Sequence, residues 1–119
     1  MTAQIPVVVA ETNSYIHAVG EFWDEATQDD FKNYIARHYN EGDLIPGLGG
    51  IRKIRWQGSG RGKRGGVRVI YYYYNEAHPV YLLFAYAKNM QENISPSEKK
   101  LLHAYVEKIM IGFQGTGGR

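Results

Sequence analysis

Half of the chain's basic side chains lie within one short stretch that contains no acid. Residues 51–70 hold seven of the fourteen lysines and arginines, whereas residues 1–50 hold two against eight carboxylates, a formal balance of −6. The seven cations are Arg52, Lys53, Arg55, Arg61, Lys63, Arg64 and Arg68. A surface built only for solubility usually mixes both signs of charge. This segregation therefore predicts a face that binds the phosphates of a polyanion.

The same cations have a second interpretation, which is a solvated sheet edge. Lysine and arginine often occupy edge strands, where their charge prevents one sheet from pairing with another. No aspartate or glutamate interrupts residues 51–70, and a purely protective surface would normally include some. The composition therefore favours phosphate binding over protection of an edge.

Strand periodicity predicts which cations share a surface. Side chains alternate across a strand, so Ile54 and Trp56 point to one face while Lys53 and Arg55 point to the other, about 7 Å apart. The remaining members of the basic set are expected on or beside the same sheet. They are Arg52, the loop cations Arg61, Lys63 and Arg64, then Arg68 on the next strand and Lys88 at the end of the last strand.

Two other patterns are explained without catalysis. Gly60, Gly62 and Gly65 match the spacing of a dinucleotide-binding loop, but they join two strands where that loop requires a strand followed by a helix. The four histidines lack the spacing of metal ligands, so no metal site is predicted. The chain has no cysteine, which excludes disulfides and thiolate chemistry.

Four segments have the apolar and β-branched character of strands. They are predicted at 7–10, 51–56, 67–74 and 80–87. A glycine-rich hairpin at 57–66 and a turn at 75–79 connect the last three into a meander. Both faces of the strands at 67–74 and 80–87 are largely apolar, which predicts central positions in the sheet. We therefore expect a small antiparallel sheet made of the N-terminal strand and the three-strand meander.

Three segments have helical periodicity. Two amphipathic helices are predicted at 12–23 and 27–39, the second opened by a cap that begins at Thr27, and a loop follows at 41–50. The last helix has a capping box, with Ser95 at the N-cap and Glu98 three residues later, and it should end near Gly112. The order of elements predicts an α+β fold, with two N-terminal helices and one C-terminal helix on the sheet.

The length of 119 residues predicts a single domain over 1–119, with residues 1–5 and 114–119 mobile. The first ten residues lack the basic and apolar regions of a secretion signal. No apolar run approaches the roughly 20 residues that span a bilayer. We therefore expect a soluble, cytoplasmic protein that does not associate with membranes.

Three blocks of the chain, in order, carry a family resemblance. They are GLGGIRKIRW at 47–56, GRGKRGGVRVIYY at 60–72 and YLLFAYAKN at 81–89, followed by the capped final helix. Together they resemble the HigB branch of the RelE toxin superfamily over about residues 41–107. The N-terminal third matches only in its plan of a strand followed by two helices. The resemblance implies a compact RelE-like microdomain.

The resemblance also implies a function. Proteins of this kind are toxins of type II toxin–antitoxin systems that enter the ribosomal A site and cut mRNA there. They act as metal-independent endoribonucleases, or mRNA interferases, and need no cofactor because the RNA supplies its own nucleophile, the 2′-hydroxyl. The implied partners are mRNA on the ribosome, ribosomal RNA, and a cognate HigA-like antitoxin that neutralises the toxin.

Roles follow from the resemblance position by position. Lys53 stands where the superfamily has a lysine proposed to help deprotonate the 2′-hydroxyl. Arg55 replaces a second lysine and, being permanently charged, is expected to clamp the phosphate. Arg68 is expected to stabilise the developing charge, and Lys88 matches the closing basic position. The implied RNA and ribosome contacts are Arg52, Arg61, Lys63 and Arg64.

The sequence departs from the family pattern after Lys88. The arginine that commonly follows is Asn89 here, and no tyrosine lies near residues 94–97. The acid that protonates the leaving group is therefore unassigned. Two alternatives stay open at this stage: a non-catalytic RNA- or DNA-binding module that uses the same cations, and an inactive, phage-derived relative.

Overall fold

The fold is a five-stranded sheet covered on both faces by helices. The computed structural model describes residues 6–56, 66–88 and 93–117, the last five of these as backbone only. The helices of the described residues are α1 (Asn13–Val19), α2 (Glu25–Ile35) and α3 (Pro96–Gly117). The strands are β1 (Val9–Glu11), β2 (Asp43–Leu44), β3 (Ile51–Trp56), β4 (Val67–Tyr73) and β5 (Val80–Ala87).

The strand order is β1-β5-β4-β3-β2, which confirms an α+β fold with the meander at its centre. The expectation of a fully antiparallel sheet is wrong, because β1 pairs parallel to β5, with Val9 opposite Val80 and Glu11 opposite Leu82. A three-residue strand carries no pattern from which its direction could be predicted. The direction is set by tertiary contacts at its end, where the Thr12 hydroxyl donates to the carbonyl oxygens of Leu82 and Leu83 at 3.0 and 3.1 Å.

The loop predicted at 41–50 contains a fifth strand, β2. Its two residues pair antiparallel with β3, placing Asp43 opposite Lys53 and Leu44 opposite Arg52. Both side chains of β2 are exposed, so the strand is held by its backbone bonds and leaves no apolar pattern in the sequence. This short strand forms the edge of the sheet next to the basic strand β3.

An apolar layer covers each of the two faces of the sheet. On one face, α1 and α2 contribute Tyr15, Val19, Phe31 and Ile35, all fully buried, to a core with alternate residues of β4 and β5. On the other face, α3 packs Leu102 and Val106 against a second buried cluster, whose strand residues include Ile51, Ile70, Tyr72 and Leu83. The central strand β4 is therefore buried on both sides, as its composition predicts.

The helix ends differ from the predicted ones. Both α1 and α2 end earlier than expected, and Asp24 caps α2 by accepting from the Thr27 backbone N–H at 2.9 Å, so the predicted cap at Thr27 is wrong. The capping box of α3 is confirmed, since Ser95 N donates to Glu98 Oε1 at 2.9 Å and Glu98 N donates to Ser95 Oγ at 3.2 Å.

Helix α3 continues to Gly117 and not to Gly112. The mobility of residues 114–119 stays a prediction. Within the described part of the chain, none of the helices has both the length and the apolar content that a membrane crossing requires.

Candidate functional site

The strand register brings Lys53, Arg55 and Arg68 to one face of the sheet. Arg55 on β3 lies directly opposite Arg68 on β4, and Arg68 in turn lies opposite Tyr86 on β5. Lys53 lies opposite Ile70, one step along the same face. Ile70 belongs to the cluster beneath α3, so alternation places the three cations on the α3 side of the sheet. We call these three residues the basic row.

Burial changes steadily along β3 on this side. Ile51 is fully buried, Lys53 is half-buried, and Arg55 is exposed. Coverage of this face therefore decreases along β3 from Ile51 towards Arg55, while Arg68 on β4 is half-buried. Among the three cations of the basic row, Arg55 is the one that is exposed.

The basic row brings like charges together. Like charges directly opposite each other on adjacent strands destabilise a sheet, and Arg55 and Arg68 have that arrangement. Ion pairs with carboxylates are formed, among others, by Lys32, His38 and His103. Lys53 and Arg55 thus have no carboxylate within 4 Å among the residues that the structure describes. A phosphate backbone is the kind of ligand that would neutralise them.

Gly66 allows the backbone to pass close to Trp56 and Arg55. Its φ of +69° lies in the left-handed region, and an added Cβ would come within 3.1 Å of the Trp56 carbonyl oxygen and 3.6 Å of the Arg55 side chain. Only glycine occupies this position without strain. The Gly66 carbonyl oxygen also accepts a hydrogen bond from the Lys88 backbone N–H at 3.3 Å. Lys88 is exposed and lies at the same end of the sheet as Arg55 and Arg68.

Arg52 lies on the opposite face from the basic row. Its Nη1 donates to the carbonyl oxygens of Gly42 at 2.7 Å and Asn40 at 3.2 Å. Arg52 therefore attaches the segment that leads into β2 to the sheet. Its predicted RNA contact stays a prediction. The hairpin cations Arg61, Lys63 and Arg64, as well as Asn89, lie outside the described residues.

Tyr86 was not predicted as a site residue from the sequence. Its side chain is 3% exposed, and its hydroxyl has no hydrogen-bond partner among the described residues. Burial raises the pKa of this hydroxyl, while Arg68 lowers it and Glu98 raises it further. Strand alternation places Phe84, Tyr86 and Lys88 on one face, and this could have linked Tyr86 to the predicted site residue Lys88. The apolar composition of β5, however, indicated only core packing for Tyr86.

Lys99 was missed as well. It follows Glu98 in the first turn of α3. Together with Lys53 it lines a cavity of about 400 Å³ between β2 and the start of α3. The capping box predicts where α3 begins, but not which strand that end of the helix approaches. Among residues 6–56, 66–88 and 93–112, no three histidine, aspartate or glutamate side chains form a group that could hold a metal ion.

One comparison with known protein families bears on this site. The family described as "RelE toxin of RelE / RelB toxin-antitoxin system" matches residues 27–114. The matched region begins within α2, contains β2 through β5, and ends within α3. It includes every cation of the basic row and well over half of the chain.

Proposed function

The chain belongs to the RelE toxin family of toxin–antitoxin systems, and from that membership we propose that it is an endoribonuclease that cuts mRNA on the ribosome. The observation that supports this activity is the basic row, because Lys53, Arg55 and Arg68 share one face of the sheet and Arg55 is exposed. These three cations come from the first two of the three sequence blocks that resemble the family. Tyr86 on β5 lies directly opposite Arg68 on β4.

The RNA supplies both the nucleophile and the leaving group of the proposed reaction. The ribose 2′-hydroxyl attacks the adjacent phosphorus, the bond to the 5′-oxygen breaks, and a 2′,3′-cyclic phosphate forms. Lys53 helps to pass the 2′-hydroxyl proton to water, and the 5′-oxygen takes up a proton from water as it leaves, so that no proton is gained or lost overall. Arg55 holds a non-bridging oxygen, and Arg68 stabilises the charge of the pentacoordinate state. Lys88 closes the site at the end of β5.

The partners follow from the same proposal. The antitoxin is a HigA-like protein that covers or distorts the basic row. The hairpin cations Arg61, Lys63 and Arg64, together with Arg52, contact RNA of the ribosome, where each additional phosphate contact adds a salt-dependent contribution to affinity. A toxin that acts on translating ribosomes works in the cytoplasm, which is therefore the proposed location.

A growth assay with message mapping tests this proposal. Expression of the chain alone should arrest growth, and primer extension should reveal new 5′ ends within translated messages. Lys53→Ala and Arg68→Ala should each lower cleavage about 100-fold, the usual cost of removing one transition-state contact, and should relieve the arrest. Circular dichroism should show the same fold in both variants.

The matched control is Arg37→Ala, because Arg37 is an exposed cation that follows α2 on the other side of the sheet. This variant should still arrest growth and cut message. Loss of binding without any cleavage, graded across all cations, would identify a non-catalytic RNA-binding protein instead. Expression without arrest or cleavage would identify an inactive relative.

A further inference from the structure

Asp43 lies on the same face of the sheet as the basic row. It pairs directly opposite Lys53 in the antiparallel register of β2 and β3, and side chains at directly opposed positions project to one face with their Cβ atoms about 4.5–5.5 Å apart. Asp43, Lys53 and Lys99 also line the cavity between β2 and the start of α3. A negative side chain therefore lies among the cations that the proposed reaction uses.

Neither phosphate binding nor an ion pair explains a carboxylate at this position. A carboxylate beside a phosphate site weakens binding, because two negative charges at short range repel each other. A cross-strand ion pair would stabilise the sheet. However, Asp43 forms no ion pair within 4 Å with another residue that the structure describes, and the same holds for Lys53 and Lys99. Asp43 is also exposed, so its oxygens are available to a ligand.

The proposed reaction requires a proton acceptor close to Lys53. A lysine ammonium only donates hydrogen bonds, whereas an ionised carboxylate only accepts them. A 2′-oxygen that is ready to attack lies about 3–3.5 Å from the phosphorus. A phosphate that contacts Lys53 therefore brings the 2′-hydroxyl to roughly the distance that separates opposed side chains on paired strands, which is where Asp43 lies.

Glu98 is a second carboxylate near this place, next to Lys99 in the first turn of α3. Its Oε1 accepts from the Ser95 backbone N–H at 2.9 Å in the capping box, and the residue is half-buried. This hydrogen bond holds the start of the helix. Asp43 forms no such hydrogen bond within the described ranges of the chain and is exposed, so it is the better placed acceptor.

We propose that Asp43 is the general base of the cleavage reaction, the first acceptor of the 2′-hydroxyl proton. As the 2′-oxygen forms its bond to phosphorus, the proton moves to a carboxylate oxygen of Asp43, and the bond from phosphorus to the 5′-oxygen breaks. Lys53 stabilises the negative charge that develops on the 2′-oxygen. The 5′-oxygen takes a proton from water and Asp43 later releases one to water, so the protons balance. This assignment rests on the proposed nuclease activity and adds a residue to it.

Single-turnover cleavage of a ribosome-bound message, measured against pH, tests the assignment. The wild-type rate should fall in acid as the base becomes protonated. Asp43→Asn should lower the rate at neutral pH about 100-fold, a usual contribution of a general base. The remaining rate should rise about tenfold per pH unit, because hydroxide then takes the proton. Asp43→Glu keeps a carboxylate and should recover at least about tenfold of the loss.

Two control variants account for the other carboxylates nearby. The charged groups around Asp43 in the described structure are Lys53 on β3, Lys99 and Glu98 on α3, and Glu41 on its own segment. Lysine side chains do not titrate in the acid range. Glu41→Gln and Glu98→Gln each remove one carboxylate, and glutamine can also serve in a capping box. Both variants should keep the fall of the rate in acid.

The KM of each variant separates proton transfer from a structural role. Asp43→Asn should leave the KM for the ribosome-bound message unchanged or lower, because it removes a charge that repels phosphate. A raised KM with an unchanged pH profile, or an Asp43→Asn variant that cuts as fast as the wild type, would overturn the assignment and leave the nuclease activity standing. A wild-type chain that arrests nothing and cuts nothing would overturn the proposed function and the assignment together.

Discussion

Arg55 and Arg68 face each other across two paired strands, where a protein selected for stability alone would place opposite charges or apolar groups. Directly opposed like charges cost roughly 0.2–1 kcal/mol. Lys53, the next residue of β3 on the same face, adds a third positive charge beside Arg55. If the basic row binds RNA as proposed, a phosphate removes this repulsion when it binds.

Arg55→Thr should therefore stabilise the free protein while it weakens function. Threonine suits a strand and removes one of the two opposed charges. We expect the free energy of unfolding to rise by about 0.5 kcal/mol at low ionic strength, and the gain to shrink at high ionic strength because salt screens the repulsion. Urea denaturation at both ionic strengths measures the gain, and message cleavage measures the loss. Arg37→Thr, at an exposed position outside the sheet, should show neither change. A destabilised Arg55→Thr would show that the two arginines do not repel each other in the free protein.

At the scale of elements, the segment that carries β2 is attached by polar contacts to the far face of the sheet. Tyr71 lies at the centre of these contacts, since its hydroxyl donates to the Tyr39 carbonyl oxygen and accepts from the Gly42 backbone N–H, both at 2.9 Å. Arg52 adds its bond to the Gly42 carbonyl oxygen. These contacts hold β2 against β3 and thereby position Asp43, which lines the cavity on the other face.

Tyr71→Phe should lower the free energy of unfolding by about 2 kcal/mol, because it leaves a buried N–H and a buried carbonyl without their partner. Tyr15→Phe is the matched control. Tyr15 is equally buried, but its hydroxyl has no hydrogen-bond partner among the described residues, so its removal should cost almost nothing. Thermal and urea denaturation of both variants measure the difference. Equal losses in the two variants would show that the Tyr71 contacts do not hold the segment.

Sequence periodicity was sufficient to predict the elements that bury a face with a regular apolar pattern. The meander and the capped start of α3 belong to this group, and alternation along β3 correctly separates Lys53 and Arg55 from Ile54. The same alternation assigns Arg52 to the opposite face, although charge alone grouped it with the others. Strand β2 and the parallel direction of β1 were not predictable, because both depend on backbone bonds to distant strands. Tyr86 and Lys99 became visible only when the register and the helix position were known.

At the scale of the whole molecule, two apolar layers rich in tyrosine hold the sheet between its helices. Burial is the largest cause that raises the pKa of six tyrosines: Tyr15, Tyr71, Tyr72, Tyr73, Tyr81 and Tyr86. The pKa of Tyr34 is raised to about 12, chiefly by its hydrogen bond to Glu41. Each of these groups keeps its proton to a higher pH in the folded state than in the unfolded chain.

This linkage predicts unfolding in alkali. Because the folded pKa values lie above the unfolded value of about 10, the stabilisation is complete below about pH 10 and decreases as the pH rises through the folded values. Circular dichroism should therefore show a cooperative loss of structure above about pH 10, and the tyrosinate absorbance should rise in the same transition. Tyrosine ionisation that is completed while the fold persists would contradict the proposed role of tyrosine burial in the two layers.

The proposed nuclease activity depends above all on the RNA's own 2′-hydroxyl acting as the nucleophile at the basic row. The purified chain can be given a ribosome-bound message that carries a single 2′-deoxynucleotide at the mapped cleavage position, and its cleavage measured. We expect this message to stay intact at that position, while the all-ribose message is cut there and ends in a cyclic phosphate. Equal cleavage of the two messages would contradict the proposal, because the nucleophile would then have to come from elsewhere.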